Sequence, residues 1–339
     1  MERTRLAVVG LGLWGSKWLP NVLASADFEL VAAVDQSDVA LGAAAKQFEI
    51  ARDRCFHGLD EACSAVRPEA VLIAVPPGHH CRVAAEAMDY GLHVLCEKPL
   101  AATMTEASQL LQQARGVDTV FMVNQNYRHW GANPAVREKV ADGAIGTVEY
   151  AIWEFERPMR FGGWRAEQLE EVLLEDLSIH HFDLMRYLMG RDCVEVYAVS
   201  FRPSWSWFAG RPCCSAVLRF EGGLLVNYFG SWVAPGTSTS LNGRIRLCGE
   251  LGAIEFDNAD EGRAILLKAD GSPAVEIVGT GDALPALGAT LRAFARAVRT
   301  GEKPATGISD NIRSLAMVHA AIQSGRLRQP VALESLVGR

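Results

Sequence analysis

A chain of 339 residues exceeds what one ordinary hydrophobic core supports, so two domains are expected. Apolar residues at 49% and charged ones at 22% fit a globular protein and argue against a disordered one. The formal charge of −7, with no Lys/Arg block, argues against nucleic acid and anionic membranes as partners.

The amino terminus, Met1-Glu-Arg-Thr-Arg5, carries no secretory pattern, and no apolar run approaches the roughly 20 residues needed to cross a bilayer. Leu6 to Val9 reads as a short strand. It meets Gly10-Leu-Gly12-Leu13-Trp14-Gly15, and an apolar helical pattern follows. Such glycines allow a tight turn, close approach of backbone to a pyrophosphate, and close helix–strand packing, while the helix amino terminus favours the phosphate charge. A second strand, Leu30 to Val34, ends at Asp35. A carboxylate there accepts hydrogen bonds from the adenosine ribose and repels a 2′-phosphate, which favours NAD over NADP. Arg52 and Arg54 lie past the next helix and are discounted as a counterweight.

Ala70 to Val75 is a continuous apolar run, as expected for a strand covered on both faces, and it breaks at Pro76-Pro-Gly-His79-His80. Cys81 to Tyr90 is helical, and His93 to Cys96 is a short buried strand that turns abruptly at Glu97-Lys98-Pro99. Proline constrains the residue before it, so Lys98 is presented in a stiff, non-helical geometry at a strand's carboxyl end, where open parallel sheets bind ligands. Thr103 and Glu106 form a capping-box pattern opening a helix to about Ala114. Val120 to Val123 is a further buried strand leading into Asn124-Gln-Asn126-Tyr127-Arg128. This alternation predicts an α/β Rossmann domain, a doubly wound parallel sheet, over residues 1–125.

These motifs resemble those of the Gfo/Idh/MocA family, named for glucose–fructose oxidoreductase, inositol dehydrogenase and a rhizopine-catabolism protein. The resemblance rests on Gly10, Gly12 and Gly15, on Pro76 followed by His80, and on Glu97-Lys98-Pro99. It implies an NAD-dependent oxidoreductase acting on a carbinol carbon of a sugar, inositol or similar polyol. It implies cofactor contacts from Gly10, Gly12, Leu13, Trp14, Gly15, Asp35, Pro76, His80, Glu97, Lys98 and Asn126. It also implies an α+β second domain over 126–339 with a large, mainly antiparallel open sheet. In relatives that sheet commonly packs on a second subunit, so a homodimer or homotetramer is expected. A closing helical segment, about 303–339, is expected to return to the Rossmann domain.

In that second part Val148, Tyr150 and Ile152 alternate as a half-buried strand. Arg160-Phe-Gly-Gly-Trp164-Arg165 is a glycine-loosened loop, and Glu175-Asp176 through Gly190 reads as one helix with Asp176 and His180 on a shared face. A carboxylate one turn from an imidazole can orient it and raise its pKa, and histidine exchanges protons near neutral pH. Asp176, His180 and Asp183 match the family's D-x-x-x-H-x-x-D pattern, which implies Lys98, Asp176 and His180 as catalytic residues, with Asp183 structural. Substrate contacts are assigned to Lys98, Tyr127, Arg128, Trp164, Arg165 and His180, with Arg160 a weaker candidate. His181 is read as a packing or rim residue. A zinc site from His180, His181 and Asp183 is rejected, because adjacent helical residues diverge by about 100°. One departure stands out: relatives carry a glycine-rich segment where this chain has Glu170-Glu-Val-Leu-Leu-Glu175.

Further strands are expected at 194–201, 216–220, 224–229, 245–248, 253–256 and 265–268, and helices at 291–298 and 309–324. The Trp205-Ser-Trp207-Phe208 segment lines a sugar site, forms an interface or anchors a loop. Eight scattered cysteines without a C-x-x-C predict reduced thiols in a cytoplasmic protein. Two rivals remain: a non-redox glycosidase or lyase using tightly bound NAD, and a non-catalytic dinucleotide sensor.

Overall fold

The computed structural model describes residues 2–256, 262–283 and 285–337, and the chain divides into two compact units. The first comprises Met1–Gln125 with Leu287–Ile312, the second Asn126–Ala286 with Arg313–Arg339.

In the first unit, β1 (Thr4–Val9), β2 (Phe28–Val34), β3 (Cys55–Phe56), β4 (Ala70–Ile73), β5 (His93–Cys96) and β6 (Phe121–Val123) form one sheet in the order β3-β2-β1-β4-β5-β6. Every pairing is parallel. The continuous apolar runs are explained by this arrangement: helices on both faces leave no strand side for water, and β4 is buried at all four residues. Helices α1 (Leu13–Leu23), α2 (Asp38–Phe48), α3 (Leu59–Val66), α4 (His80–Asp89) and α5 (Met104–Ala114) supply those layers, α5 opening on the Thr103–Glu106 capping box. The strand order reverses between β1 and β4, and at such a crevice open α/β sheets take their ligands.

The segment that returns to this unit is 287–312 rather than about 303–339. Its amphipathic helix Leu287–Thr300 places Leu287, Leu291, Phe294 and Ala295 in the core beside Trp18 and Val22. Phe294 stacks on Phe28 of β2 with ring centroids 5.6 Å apart.

In the second unit, α6 (Asn133–Ala141), β7 (Val148–Glu156), α7 (Trp164–Glu167) and α8 (Ile179–Met189) precede strands β8 (Cys193–Phe201), β9 (Cys213–Phe220), β10 (Leu225–Ser231), β11 (Arg244–Gly249), β12 (Gly252–Phe256), β13 (Arg263–Lys268), β14 (Pro273–Val278) and β15 (Val331–Ala332). They form a nine-stranded sheet ordered β14-β13-β12-β11-β7-β10-β9-β8-β15, antiparallel except where β7 meets β10. The expected α+β class with a mainly antiparallel sheet is therefore what the chain adopts. The edge strands β14 and β15 were not read from the sequence. β14 begins at a proline and is largely exposed, so it shows no alternation, and β15 has only two residues.

Candidate active site

The glycine turn is built by close packing. Gly10 has φ +91°, and a Cβ there would lie 2.7 Å from the backbone of Ala74. A Cβ on Gly15 would lie 1.9 Å from the Gly10 carbonyl oxygen, so α1 can start this close to β1 only with glycine at both positions. Around Gly12 a Cβ would meet nothing within 4 Å, so the backbone at the start of α1 is open, as close approach of a phosphate needs. Asp35, at the end of β2, accepts from Leu11 N at 2.8 Å through Oδ2 and from Ser37 N at 2.9 Å through Oδ1. Its carboxylate is thereby fixed beside the turn and presents only acceptor oxygens, which suit the donor hydroxyls of a ribose. Leu13 is 63% exposed, and Lys17 Nζ lies 4.4 Å from the centroid of the Trp14 ring.

We expect Asp35→Asn to lower the ratio of kcat/KM with NAD to that with NADP by about ten- to a hundredfold, because removing the carboxylate charge removes its repulsion of a 2′-phosphate. An unchanged ratio in coupled assays with both cofactors would show that Asp35 does not set the preference.

Lys98 stands just past β5, on a turn with a cis Lys98–Pro99 peptide. Glu97 braces it from inside. Its Oε1 accepts from Trp18 Nε1 at 2.7 Å and Asn124 Nδ2 at 2.8 Å, and its Oε2 accepts from Lys98 N at 3.2 Å. Asn124 Oδ1 in turn accepts from Thr290 at 3.1 Å. Burial pushes the Glu97 carboxyl above its ordinary pKa, against the pull of these donors and of the Lys98 charge. Glu97 is buried away from solvent, and these contacts give it the work of holding the turn.

His80 is also interior, with Nδ1 2.7 Å from Pro99 O and Nε2 2.9 Å from Val75 O. Burial pulls its pKa below the ordinary value, and a neutral ring donates through one of these nitrogens at a time. His80 ties the loop after β4 to the lysine turn, so both ring nitrogens face backbone carbonyls.

In the second unit, Asp176 lies in a π-helical turn, Leu174–Ser178, that runs directly into α8. The continuous α-helix expected over 176–190 is thus corrected. Four residues span about one turn in either geometry, so Asp176 and His180 remain one turn apart. π-turns inside helices recur at functional sites. Asp176 Oδ1 accepts from Arg165 Nη1 of α7 at 3.3 Å, an ion pair that spacing alone did not reveal. His180 is 7% exposed and stacks on Tyr127 with centroids 4.3 Å apart and planes 9° from parallel. Tyr127 therefore positions the imidazole.

Arg128, expected from the sequence to contact substrate, instead forks its guanidinium onto Asp183, Nε to Oδ2 and Nη2 to Oδ1 both at 2.7 Å, in the interior. Asn126 Nδ2 donates to Pro285 O at 2.7 Å. Among the described residues no group of three or more His, Cys, Asp or Glu is arranged to hold a metal.

The chain matches the family model described as "Oxidoreductase family, NAD-binding Rossmann fold" over residues 4–125 and the GFO/IDH/MocA C-terminal domain over 134–255, together more than half its length. The chain belongs to the Gfo/Idh/MocA family of NAD-binding oxidoreductases. Among relatives in this family, the D-apiose dehydrogenase of Paraburkholderia graminis is 27% identical over 99% of this chain and 91% of that protein. The myo-inositol 2-dehydrogenase of Thermotoga maritima is 24% identical over 98% of this chain and all of that one. An oxidoreductase from Agrobacterium radiobacter, solved in complex with NAD+, L-tartaric acid and magnesium, has the same fold. It matches with TM-score 0.89 at 20% identity, covering 99% of this chain and 100% of that one.

Two supports of this Gfo/Idh/MocA site escaped sequence reasoning. Tyr228 of β10 places its hydroxyl 2.9 Å from Ser178 Oγ and 3.0 Å from His181 Nδ1, and Ser314 donates to Asp183 Oδ1 at 2.8 Å. Neither position carries a local motif. His181 points into the core, its Nε2 2.8 Å from Leu241 O, and burial pulls its pKa from 6.5 to about 4. The unfolded chain takes up this proton as pH falls through 6.5 while the folded chain resists until about 4. Stability should therefore fall across that window and be flat above it, by up to about 3 kcal/mol from this group. His181→Gln should flatten the acid limb of denaturation midpoint against pH; an unchanged limb would refute the assignment.

Proposed function

We propose that the chain is an NAD-dependent dehydrogenase that oxidises a secondary alcohol, or reduces the matching ketone, of a sugar, inositol or similar polyol. The observation that carries this reading is Lys98 held on a braced turn at the carboxyl end of β5, in a chain that keeps the glycine turn and Asp35. The named activities of the apiose and inositol dehydrogenases support the substrate class. Bound NAD would accept the hydride leaving the carbinol carbon. His180 takes the hydroxyl proton onto an imidazole nitrogen, Tyr127 holding the ring's plane. Lys98 donates a hydrogen bond to the carbinol oxygen as it gains alkoxide character. Asp176, itself anchored by Arg165, would hold His180 in register from one turn earlier. In reduction the same groups act with the proton returned.

We also propose that the chain works as a homodimer or homotetramer in the cytoplasm. All eight cysteines are free thiols, which fits a reducing compartment. Tyr150, Ile152, Tyr197, Val199, Phe201 and Val217 are each more than a third exposed on the second unit's sheet. Direct pairing of Val217 with Tyr197 sets these strands' side chains in one row, an apolar face that water does not favour. A monomer by light scattering would overturn the oligomer. No described helix is long and apolar enough to cross a membrane.

A panel of sugars and polyols scored by absorbance of reduced cofactor tests the activity. Steady NADH accumulation supports the dehydrogenase. Product release without net NADH would replace it with non-redox chemistry on bound NAD, and binding without turnover with a sensor.

A further inference from the structure

The segment 157–165 holds Arg157, Arg160 and Arg165 and no acidic residue, in a chain that is net negative. Two of the three guanidiniums already have oxygen partners. Arg157 Nη1 donates to Thr239 O at 3.3 Å, and Arg165 pairs with Asp176. Arg160 differs from both. It is exposed, its guanidinium lies 4.5 Å from the centroid of the Trp207 ring, and no carboxylate among the described residues pairs with it.

Trp207 belongs to an aromatic cluster anchored on the buried Phe208. Its ring centroid is 5.7 Å from Phe208, Phe208 is 4.8 Å from Phe161, and the Arg165 guanidinium lies 5.9 Å from Phe161. Ring contacts therefore link the partner of Asp176 to Arg160 through one cluster. Stacking fixes the plane of a guanidinium while leaving its N–H groups at the edge, where they can fork onto a carboxylate or phosphate. A cation held this way is pre-organised for an anion, which loses less freedom on binding than a mobile surface arginine would impose.

We propose that Arg160 and Trp207 form an anion subsite, so that the preferred substrate is a polyhydroxy compound bearing a carboxylate or phosphate ester away from its reacting carbinol. This deepens the dehydrogenase reading and rests on it. It also supplies a use for Trp207, which the sequence left divided between a sugar site, an interface and a loop anchor.

The test is a panel of matched neutral sugars, their uronates or aldonates, and their monophosphates, assayed with NAD on wild type, Arg160→Met and Arg160→Lys. The ratio of kcat/KM for the best anionic member to its neutral parent should exceed about tenfold in wild type. It should fall about ten- to a hundredfold in Arg160→Met, with partial recovery in Arg160→Lys. Which anion gives the larger ratio separates carboxylate from phosphate. A wild type that prefers neutral members, or a ratio unmoved by Arg160→Met, overturns the subsite and leaves the dehydrogenase standing. If no member reduces NAD, the dehydrogenase reading fails. Calorimetric binding of the same uronates and phosphates then decides the subsite, which falls if wild type and Arg160→Met bind them equally.

Discussion

Lys98→Met should lower kcat by about two to three orders of magnitude while leaving NAD affinity within a few-fold of wild type. Methionine keeps most of the stem's volume and removes only the terminal donor. Loss of one donor aimed at a developing oxyanion costs on the order of 10²- to 10³-fold. The turn itself should survive, because Glu97 grips the Lys98 backbone amide, Trp18 and Asn124, none of which involves the ammonium. Cofactor titration by quenching of tryptophan fluorescence, beside single-turnover rates, separates the two quantities. A turnover number near wild type would remove Lys98 from the chemistry. A matching collapse of NAD affinity would make it a cofactor ligand instead.

Much of this was readable in the chain because the relevant constraints are local. Gly10 and Gly15 touch across five residues, and Thr103 caps a helix three residues ahead. Pro99 limits its own neighbour, and buried parallel strands announce themselves as unbroken apolar runs. What escaped reading depends on partners far along the chain. Glu97 looked like a cofactor contact because the sequence cannot show that Trp18 and Asn124 surround its carboxylate. Arg128 looked available for substrate because Asp183 stands 55 residues away. The π-turn at 174–178 has no compositional mark, since a wider turn needs no particular residue types. The Arg165–Asp176 pair joins two separate short elements, and helical spacing could not have predicted it.

The second large effect concerns stability. Asp183→Ala should destabilise the second unit by about 3–5 kcal/mol, the cost of stranding buried charge rather than of losing one contact. Asp183 is 1% exposed and accepts both forks of Arg128 together with the Ser314 hydroxyl, and Arg186 Nη1 lies 4.0 Å from its Oδ1. Arg128 and Arg186 are themselves only 6% exposed, so without the carboxylate water cannot readily replace it. Arg186 keeps Asp192 at 2.8 Å, whereas Arg128 loses its forked carboxylate, so most of the penalty falls on the loop that carries Tyr127. That loop stacks on His180, and its displacement should lower turnover even in molecules that remain folded. Ser314→Ala, which removes a hydroxyl that donates to Asp183 and accepts from Arg186 Nη1 at 2.8 Å but strands no carboxylate, should cost less, about 2 kcal/mol. Hydrogen exchange of the α8 amides reads the local loss directly, which a global melting curve of a two-unit chain does not. If Asp183→Ala protected those amides as well as Ser314→Ala does, the buried charges would have found water, and the imidazole's position would have to be explained by Tyr127 and Tyr228 alone.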